Sequence, residues 1–341
     1  MRDIRIVFMG TPDFAATILE TLVTQEYNIV GVITAPDRPA GRGQKLRKSA
    51  VKVYAESQGL TILQPTNLKN KDFLKELEAL QANLQIVVAF RMLPAAVWQM
   101  PEYGTFNLHA SLLPQYRGAA PINWAIMNGE KETGVTTFFI DEKIDTGAVI
   151  FQERLAIGEN ENAGSLHDRL MHLGAGLVTK TVDAIAQNQV TTHIQPQSGD
   201  LKTAYKLYPE NTKIDWEAPI QTIHNHIRGL SPYPGAWCYL INQDKEERIK
   251  IYGAEVYAQG HTEPVEAPSQ NTKAESQIVD KVEETVATSS LGTIQIEDGN
   301  LKVTTLNGYL IITEIQLPGK RKMDVKALLN GYHFDENAKM R

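Results

Sequence analysis

The chain opens on Ile4-Arg5-Ile6-Val7-Phe8-Met9-Gly10-Thr11-Pro12-Asp13-Phe14. The β-branched and apolar run over 4–9 reads as a buried strand, and Gly10-Thr11-Pro12-Asp13 as the turn that ends it. Phe14, Ile18, Leu19 and Leu22 then recur at helical spacing. A strand, a tight turn and a helix make the first half of a βαβ unit, and the pattern repeats downstream. Runs at 29–34 and 86–89 are further strands, with helices over 51–57 and 73–80 between them. Such alternation builds a parallel sheet with helices on both faces. Residues 104–109 and 135–140 add strands. A long helix over 165–187 follows, with Ser165 as its cap and Leu166, Leu170, Leu173, Leu177 and Ile185 as its apolar positions.

Past Ala186 the texture changes. Residues 189–207 are polar, contain Pro196 and Gly199, and read as a linker. A helix opens near Ile220, and short strands follow at 237–241, 249–252, 292–296, 301–305 and 309–315. Five short strands separated by turn signals predict a small barrel. Residues 258–288, rich in Glu, Gln, Ser and Thr and poor in large apolar residues, interrupt that rhythm as a surface insertion. The expected fold class is therefore α/β, with a doubly wound, mostly parallel, Rossmann-like sheet over 1–188. A linker over 189–207 leads to an OB-like β-barrel domain over 208–341.

Composition bounds the function. A length of 341 residues exceeds one average domain, and 42% hydrophobic content suffices for a sizeable core. The net charge of −6 gives no molecule-wide basic field, so any contact with nucleic acid must come from local patches. Cys238 is the one cysteine, which excludes an intrachain disulfide and fits a reducing compartment. No apolar run has the length of a membrane span, and the N-terminal run is too short for a signal peptide. These features lead to the expectation of a cytoplasmic protein without membrane attachment; a monomer is expected as well, though no feature of the sequence fixes the oligomeric state.

The stretch richest in chemistry is Phe106-Asn107-Leu108-His109-Ala110-Ser111-Leu112-Leu113-Pro114-Gln115-Tyr116-Arg117-Gly118. Side chains alternate across a strand, so Asn107 and His109 share one face and Phe106 and Leu108 the other. In an open α/β sheet the ends of such strands are where ligands bind. A second stretch, Asp141-Glu142-Lys143-Ile144-Asp145-Thr146-Gly147, follows another strand and carries a carboxylate on a turn-forming loop. A carboxylate against a histidine fixes its tautomer and favours its charged form. Asn107, His109 and Asp145 thus read as a proton-transfer set.

Plainer readings stand beside this one. A histidine at a strand end is commonly structural, and Asp145-Thr146-Gly147 is by itself a turn signal. Ser111 lacks a Gly-x-Ser-x-Gly elbow and reads as a local hydrogen-bonding residue rather than a nucleophile. With a single cysteine and no His-Glu-x-x-His run there is no zinc motif. Neither Gly10-Thr11-Pro12 nor Gly41-Arg42-Gly43 is a dinucleotide fingerprint, which leaves a nicotinamide cofactor unsupported.

In order and spacing, Asn107-Leu108-His109, Ser111-Leu112-Leu113-Pro114, Tyr116-Arg117-Gly118 and Asp145-Thr146-Gly147 together resemble the signature of the folate-dependent formyltransferase family. The resemblance implies catalytic roles for Asn107, His109 and Asp145. It also implies a folate-binding role for Ser111, Leu112, Leu113 and Pro114, and 10-formyltetrahydrofolate as cosubstrate without a metal. The opening Phe8–Phe14, the loop Pro36-Asp37-Arg38-Pro39-Ala40-Gly41-Arg42-Gly43 and the segments Ile214–Trp216, Arg228–Trp237 and Leu328–Gly331 are similar to the branch that formylates methionyl initiator tRNA. Within 34–48 five basic residues, Arg38, Arg42, Lys45, Arg47 and Lys48, face one acid, Asp37. Near the C-terminus Lys320, Arg321, Lys322 and Lys326 face Asp324. Charge alone makes these solvated basic loops. The resemblance implies that Arg38, Arg42, Lys45, Lys320 and Arg321 contact tRNA phosphates, with Arg42 at the acceptor end.

Two positions depart from the family pattern. Phe90-Arg91 stands where a Tyr-Gly is usual, and Lys143 where glycine is common. Two other functions remain open at this level: a formyltransferase acting on a small amine, such as a sugar nucleotide or a purine precursor, and a non-catalytic RNA-binding protein.

Overall fold

The computed structural model describes residues 2–40, 45–258 and 291–341. The chain forms two compact units: Met1–Trp124, Lys131–Glu159 and Ser165–Lys206 in the first, and Ala125–Glu130, Asn160–Gly164 and Leu207–Arg341 in the second.

The first unit is built on a seven-stranded sheet in the order Val149–Ala156, Glu132–Phe139, Thr105–His109, Leu84–Val88, Ile6–Gly10, Ile29–Ile33, Ile62–Leu63. The last five run parallel. Glu132–Phe139 is antiparallel to Thr105–His109, and Val149–Ala156 is antiparallel to Glu132–Phe139. Ile6–Gly10 and Leu84–Val88 are buried along their whole length, as strands covered on both faces must be. Helix Asp13–Thr24 buries Phe14, Ile18, Leu19 and Leu22. A Cβ on Gly10 would lie 2.5 Å from that of Ala15, so glycine lets the helix seat on its strand.

Three sequence expectations are corrected. The long helix spans Ala163–Ala186, so Ser165 lies inside its first turn instead of capping it. Asn162, also a favoured capping type, stands immediately before the helix. The edge strand Val149–Ala156 was not anticipated, because from Gln152 to Arg154 it is polar and its alternation is that of a half-exposed edge. The polar segment read as a linker is stitched to the first unit. His193 bridges Val149, and Thr203–Ala204 pairs in parallel with Arg117–Gly118.

The second unit is a curled antiparallel sheet in the order Ile294–Glu297, Asn300–Thr305, Gly308–Gln316, Lys245–Ala258, Ala236–Asn242, Lys339–Met340. Its ends meet: the Ile294 N–H donates to Ala338 O at 3.0 Å, and the Met340 N–H donates to Gly292 O at 2.8 Å. Gly292 has φ +80, and a Cβ there would come within 2.0 Å of Met340 O, so the closing position admits only glycine. Helix Ile220–Leu230 lays Ile223, Ile227 and Leu230 into a core shared with Cys238, Leu240, Ile249 and Ile312. This is the expected OB-like barrel. Its second long strand, Lys245–Ala258, reaches well beyond the predicted 249–252, and Lys339–Met340 is an added closing strand. All of the 258–288 insertion except its first residue lies outside the described residues. Among the described residues no helix is long and apolar enough to cross a membrane.

Candidate active site

Strand Thr105–His109 ends beside a cavity of about 670 Å³ in the first unit. Asn107, His109 and Asp145, far apart in sequence, all line it. Phe14, Val87, Phe90, Leu93 and Ile140 supply apolar wall. Both the volume and the mixture of apolar wall with few polar groups suit a ring-bearing small molecule, for which pockets run roughly 300–1,000 Å³.

His109 is 7% exposed. Its Nε2 lies 2.8 Å from Tyr116 O, and a carbonyl only accepts, so Nε2 carries a hydrogen. Nδ1 therefore faces the acid, with Asp145 Oδ2 at 3.8 Å. That is ion-pair distance, longer than the usual direct hydrogen bond of about 2.7–3.2 Å. The same Asp145 oxygen accepts the Gly118 N–H at 2.9 Å. The loop Tyr116–Gly118 therefore supports both members: its first carbonyl holds the imidazole and its last N–H holds the carboxylate. Tyr116 has φ +61, Gly118 φ +123 and Asp145 φ +55, so both loops turn through left-handed conformations at the points of contact.

Asn107 presents a different signal. Its Oδ1 is buried and has no hydrogen-bond partner. Unpaired buried polar atoms are rare, and one that lines a cavity is poised for a ligand.

Ser111, Leu112, Leu113 and Pro114 do not line the cavity. Ser111 is fully buried, its hydroxyl donates to Gln115 O at 2.7 Å, and its carbonyl accepts from Thr136 Oγ1 at 2.6 Å. Leu113 packs with Phe138 and Val149. These residues brace the turn into Gln115–Gly118. The two departures from the expected pattern both line the cavity. Arg91 donates to the carbonyls of Pro65 and Thr66, with its guanidinium 5.5 Å from the Phe90 ring centroid. The Lys143 N–H donates to Asp141 Oδ1 at 3.0 Å, which closes the turn without a glycine.

Of the basic residues, Arg38 is exposed on the hairpin Arg38–Ala40/Lys45–Arg47. Arg42 lies outside the described residues, as does the side chain of Lys45. Lys320 and Arg321 are exposed on the second unit. Sequence reading missed a further cluster on that unit. The register sets Trp237 opposite Lys250 and Tyr239 opposite Arg248 on one face of the barrel. The Arg248 guanidinium lies 3.9 Å from the Trp237 ring centroid, and Lys213 Nζ lies 5.8 Å from that ring and 5.4 Å from Tyr239. Among the described residues neither Arg248 nor Lys213 has a carboxylate within ion-pair distance. Sequence carried only a weak cue for it, because Lys213 is 35 residues from Arg248 and their meeting is a product of strand register.

A family model described as formyl transferase matches residues 4–182, and one described as formyl transferase, C-terminal domain, matches residues 206–333. The methionyl-tRNA formyltransferase of Flavobacterium johnsoniae is 54% identical over 340 residues, covering 100% of both chains. That of Bacteroides fragilis is 47% identical over 345 residues, covering 99% of this chain and 98% of its own. Among solved structures, WlaRD, a sugar 3N-formyl transferase, superposes with a TM-score of 0.61 at 20% identity, over 94% of this chain and 100% of that one. HypX from Aquifex aeolicus in complex with tetrahydrofolic acid superposes with a TM-score of 0.60 at 17% identity, over 96% of this chain and 47% of that one. At these identities the two structures speak to the fold.

Proposed function

The chain belongs to the formyl transferase family across both of its domains, and from that premise we propose that it transfers the formyl group of 10-formyltetrahydrofolate to the α-amine of methionyl initiator tRNA. The observation that carries this is full-length identity: a relative named for that reaction matches 54% of residues across the entire chain, second domain included. The sugar-acting structure shares 20%.

The cavity fits the cosubstrate. Val87, Phe90, Leu93 and Ile140 would enclose a flat pterin ring, and the polar trio that lines the same cavity would receive the carrier's N10 end. 10-Formyltetrahydrofolate supplies the formyl carbon on N10; the incoming amine bonds to that carbon, the C–N10 bond breaks, and a proton passes from amine to N10. Asn107 works at the charge that develops. Its amide N–H donates to the formyl oxygen, and its unpaired Oδ1 accepts from the attacking amine, holding the nitrogen lone pair toward carbon. One such donor contributes about 3–4 kcal/mol where charge develops in a site closed to water. His109, fixed through Nε2 by Tyr116 O, moves the proton at Nδ1. Asp145, with Oδ2 3.8 Å from Nδ1, stabilises the positive charge of the ring while it holds that proton. Ser111 to Pro114 act on the folate indirectly, through the loop that they brace.

On the second unit, the face of Lys213, Trp237, Tyr239, Arg248 and Lys250 interleaves cations with aromatic rings. Such a face suits the phosphates of a polynucleotide, the nearly buried Trp237 ring and Tyr239 backing the cations that Arg248 and Lys213 present. Arg38, Arg42, Lys45, Lys320 and Arg321 add cations. The enzyme works in the cytoplasm as a monomer; light scattering of the purified chain reads the oligomeric state. The deciding experiment incubates the protein with 10-formyltetrahydrofolate and methionyl initiator tRNA, with uncharged tRNA and an amino-sugar nucleotide alongside. Formyl-methionyl-tRNA formed from the charged tRNA, with neither control formylated, is expected. Formylation of the sugar, or tRNA binding without transfer, would overturn the proposal.

A further inference from the structure

Gln195 comes from the polar segment that follows the first unit's last helix, where nothing in the sequence marks it. It is 4% exposed, and its amide is fully used. Nε2 donates to Asp145 O at 3.0 Å and to Gly147 O at 2.7 Å. Oε1 accepts from Arg117 Nε at 3.1 Å and from Arg117 Nη2 at 2.7 Å. Carbonyls only accept and guanidinium only donates, so the orientation of this amide is unambiguous, and two donors and two acceptors are all that a glutamine offers.

What it joins matters more than how many bonds it makes. One end grips the backbone of the loop that carries Asp145, at a residue whose φ of +55 is unfavourable for a side-chain-bearing residue. Gly147, the second carbonyl held, sits where a Cβ would come within 1.7 Å of Phe139 O, so this loop is pressed against its strand. The other end grips Arg117, whose neighbours Tyr116 and Gly118 hold His109 and Asp145. The backbone beside it is clamped too. Tyr116 N–H donates to Lys202 O at 2.7 Å and Ala119 N–H to Ala204 O at 2.7 Å, both acceptors belonging to the same segment as Gln195.

We propose that Gln195 is a positioning residue for formyl transfer: it locks the Asp145 loop to the Tyr116–Gly118 loop and so sets where the Asp145 carboxylate stands relative to the His109 ring. The inference rests on the role given above to Asp145. Its consequence is that the segment following the helix is part of the catalytic scaffold, contributing through one buried amide.

The test is a double-mutant cycle in the full chain, with steady-state formylation of methionyl initiator tRNA and thermal unfolding measured for each member, all assayed well below every variant's midpoint. Gln195→Met keeps the volume and removes all four hydrogen bonds. Its kcat is expected to fall about 10- to 100-fold, the scale of a misplacement near 1 Å, with KM for tRNA and folate within about threefold. In an Asp145→Ala background the same change is expected to cost less than about twofold, because the group it positions is gone. Gln195→Glu keeps an acceptor for Arg117 but has no N–H for the loop carbonyls, and is expected to be as impaired as Met; it also carries the test if Met prevents folding. Parental kcat in Gln195→Met, an undiminished loss in the Asp145→Ala background, or full rescue by Glu would each overturn the inference. Parental turnover in Asp145→Ala alone would instead overturn the role of the carboxylate itself, and so separates failure of the premise from failure of the inference.

Discussion

Asn107 and His109 lie two positions apart on one strand, and their joint exposure to the cavity is a consequence of β pleating that any reader of the sequence can draw. Their partners are another matter. The carbonyl of Tyr116 fixes which imidazole nitrogen is free, and no residue pattern predicts that a left-handed Tyr will turn its carbonyl inward. Roles at this scale make distinct predictions. Asn107→Ala, His109→Ala and Asp145→Ala should each lower kcat by at least about 100-fold, while the folate dissociation constant shifts less than about threefold, because these groups act on charge and protons formed during transfer. Single-turnover formylation beside equilibrium folate binding reads both quantities. A His109→Ala enzyme with comparable turnover would remove the imidazole from proton transfer. Ser111 is where the residue by itself reads well: a serine outside a nucleophile elbow is expected to hydrogen-bond locally, and it is a fully buried brace with both its hydroxyl and its carbonyl satisfied inside the protein.

Among elements, the helix Ile220–Leu230 was legible from its spacing, with Ile223, Ile227 and Leu230 turned to the barrel core. Less legible was the cost it carries. His226 on this helix has a buried Nε2 without a partner, and desolvation, the largest influence, pushes its pKa below the usual 6.5 against smaller opposing contributions from the backbone of Thr212 and from Asp215. The unfolded chain therefore binds a proton at this ring more readily than the folded one. Stability from this group is full above about 6.5 and is lost as pH falls below it. His226→Gln is expected to lose less stability than the parent between pH 7 and pH 5, read from urea midpoints at both values. An equal loss in both proteins would show that His226 does not titrate on unfolding. The strands tell a related story. Central ones such as Ile6–Gly10 announce themselves as unbroken apolar runs, whereas Val149–Ala156 did not, since an edge strand needs only alternate apolar residues and its polar half looks like loop.

Across the whole molecule the formal charge is −6, so polynucleotide binding depends on where cations gather and not on how many there are. Arg248 and Lys213, over the rings of Trp237 and Tyr239, are such a gathering, on a barrel face built by strand register. Replacing both with alanine should raise KM for methionyl initiator tRNA about tenfold and leave KM for the folate unchanged. It should also make the slope of log affinity against log salt shallower by roughly 1 for each phosphate no longer neutralised. Filter binding across a salt series measures the slope; an unaltered slope would place the tRNA elsewhere. Arg42, which the family resemblance ranks first, lies outside the described residues. Arg42→Leu is the companion variant to this pair, assayed in the same series.

By itself the sequence determined the division into a βαβ-built half and a small barrel, the three side chains on the cavity and the family, because periodicity, turn residues and motif spacing are local properties that survive in one dimension. Tertiary structure alone decided that Gln195 joins the Asp145 loop to Arg117, that the polar segment after the long helix is stitched to the first unit, and that cations and rings share a face of the barrel. Each of these is a hydrogen bond or contact between residues distant in sequence, and its geometry is set by sheet register and left-handed turns. No local pattern encodes it.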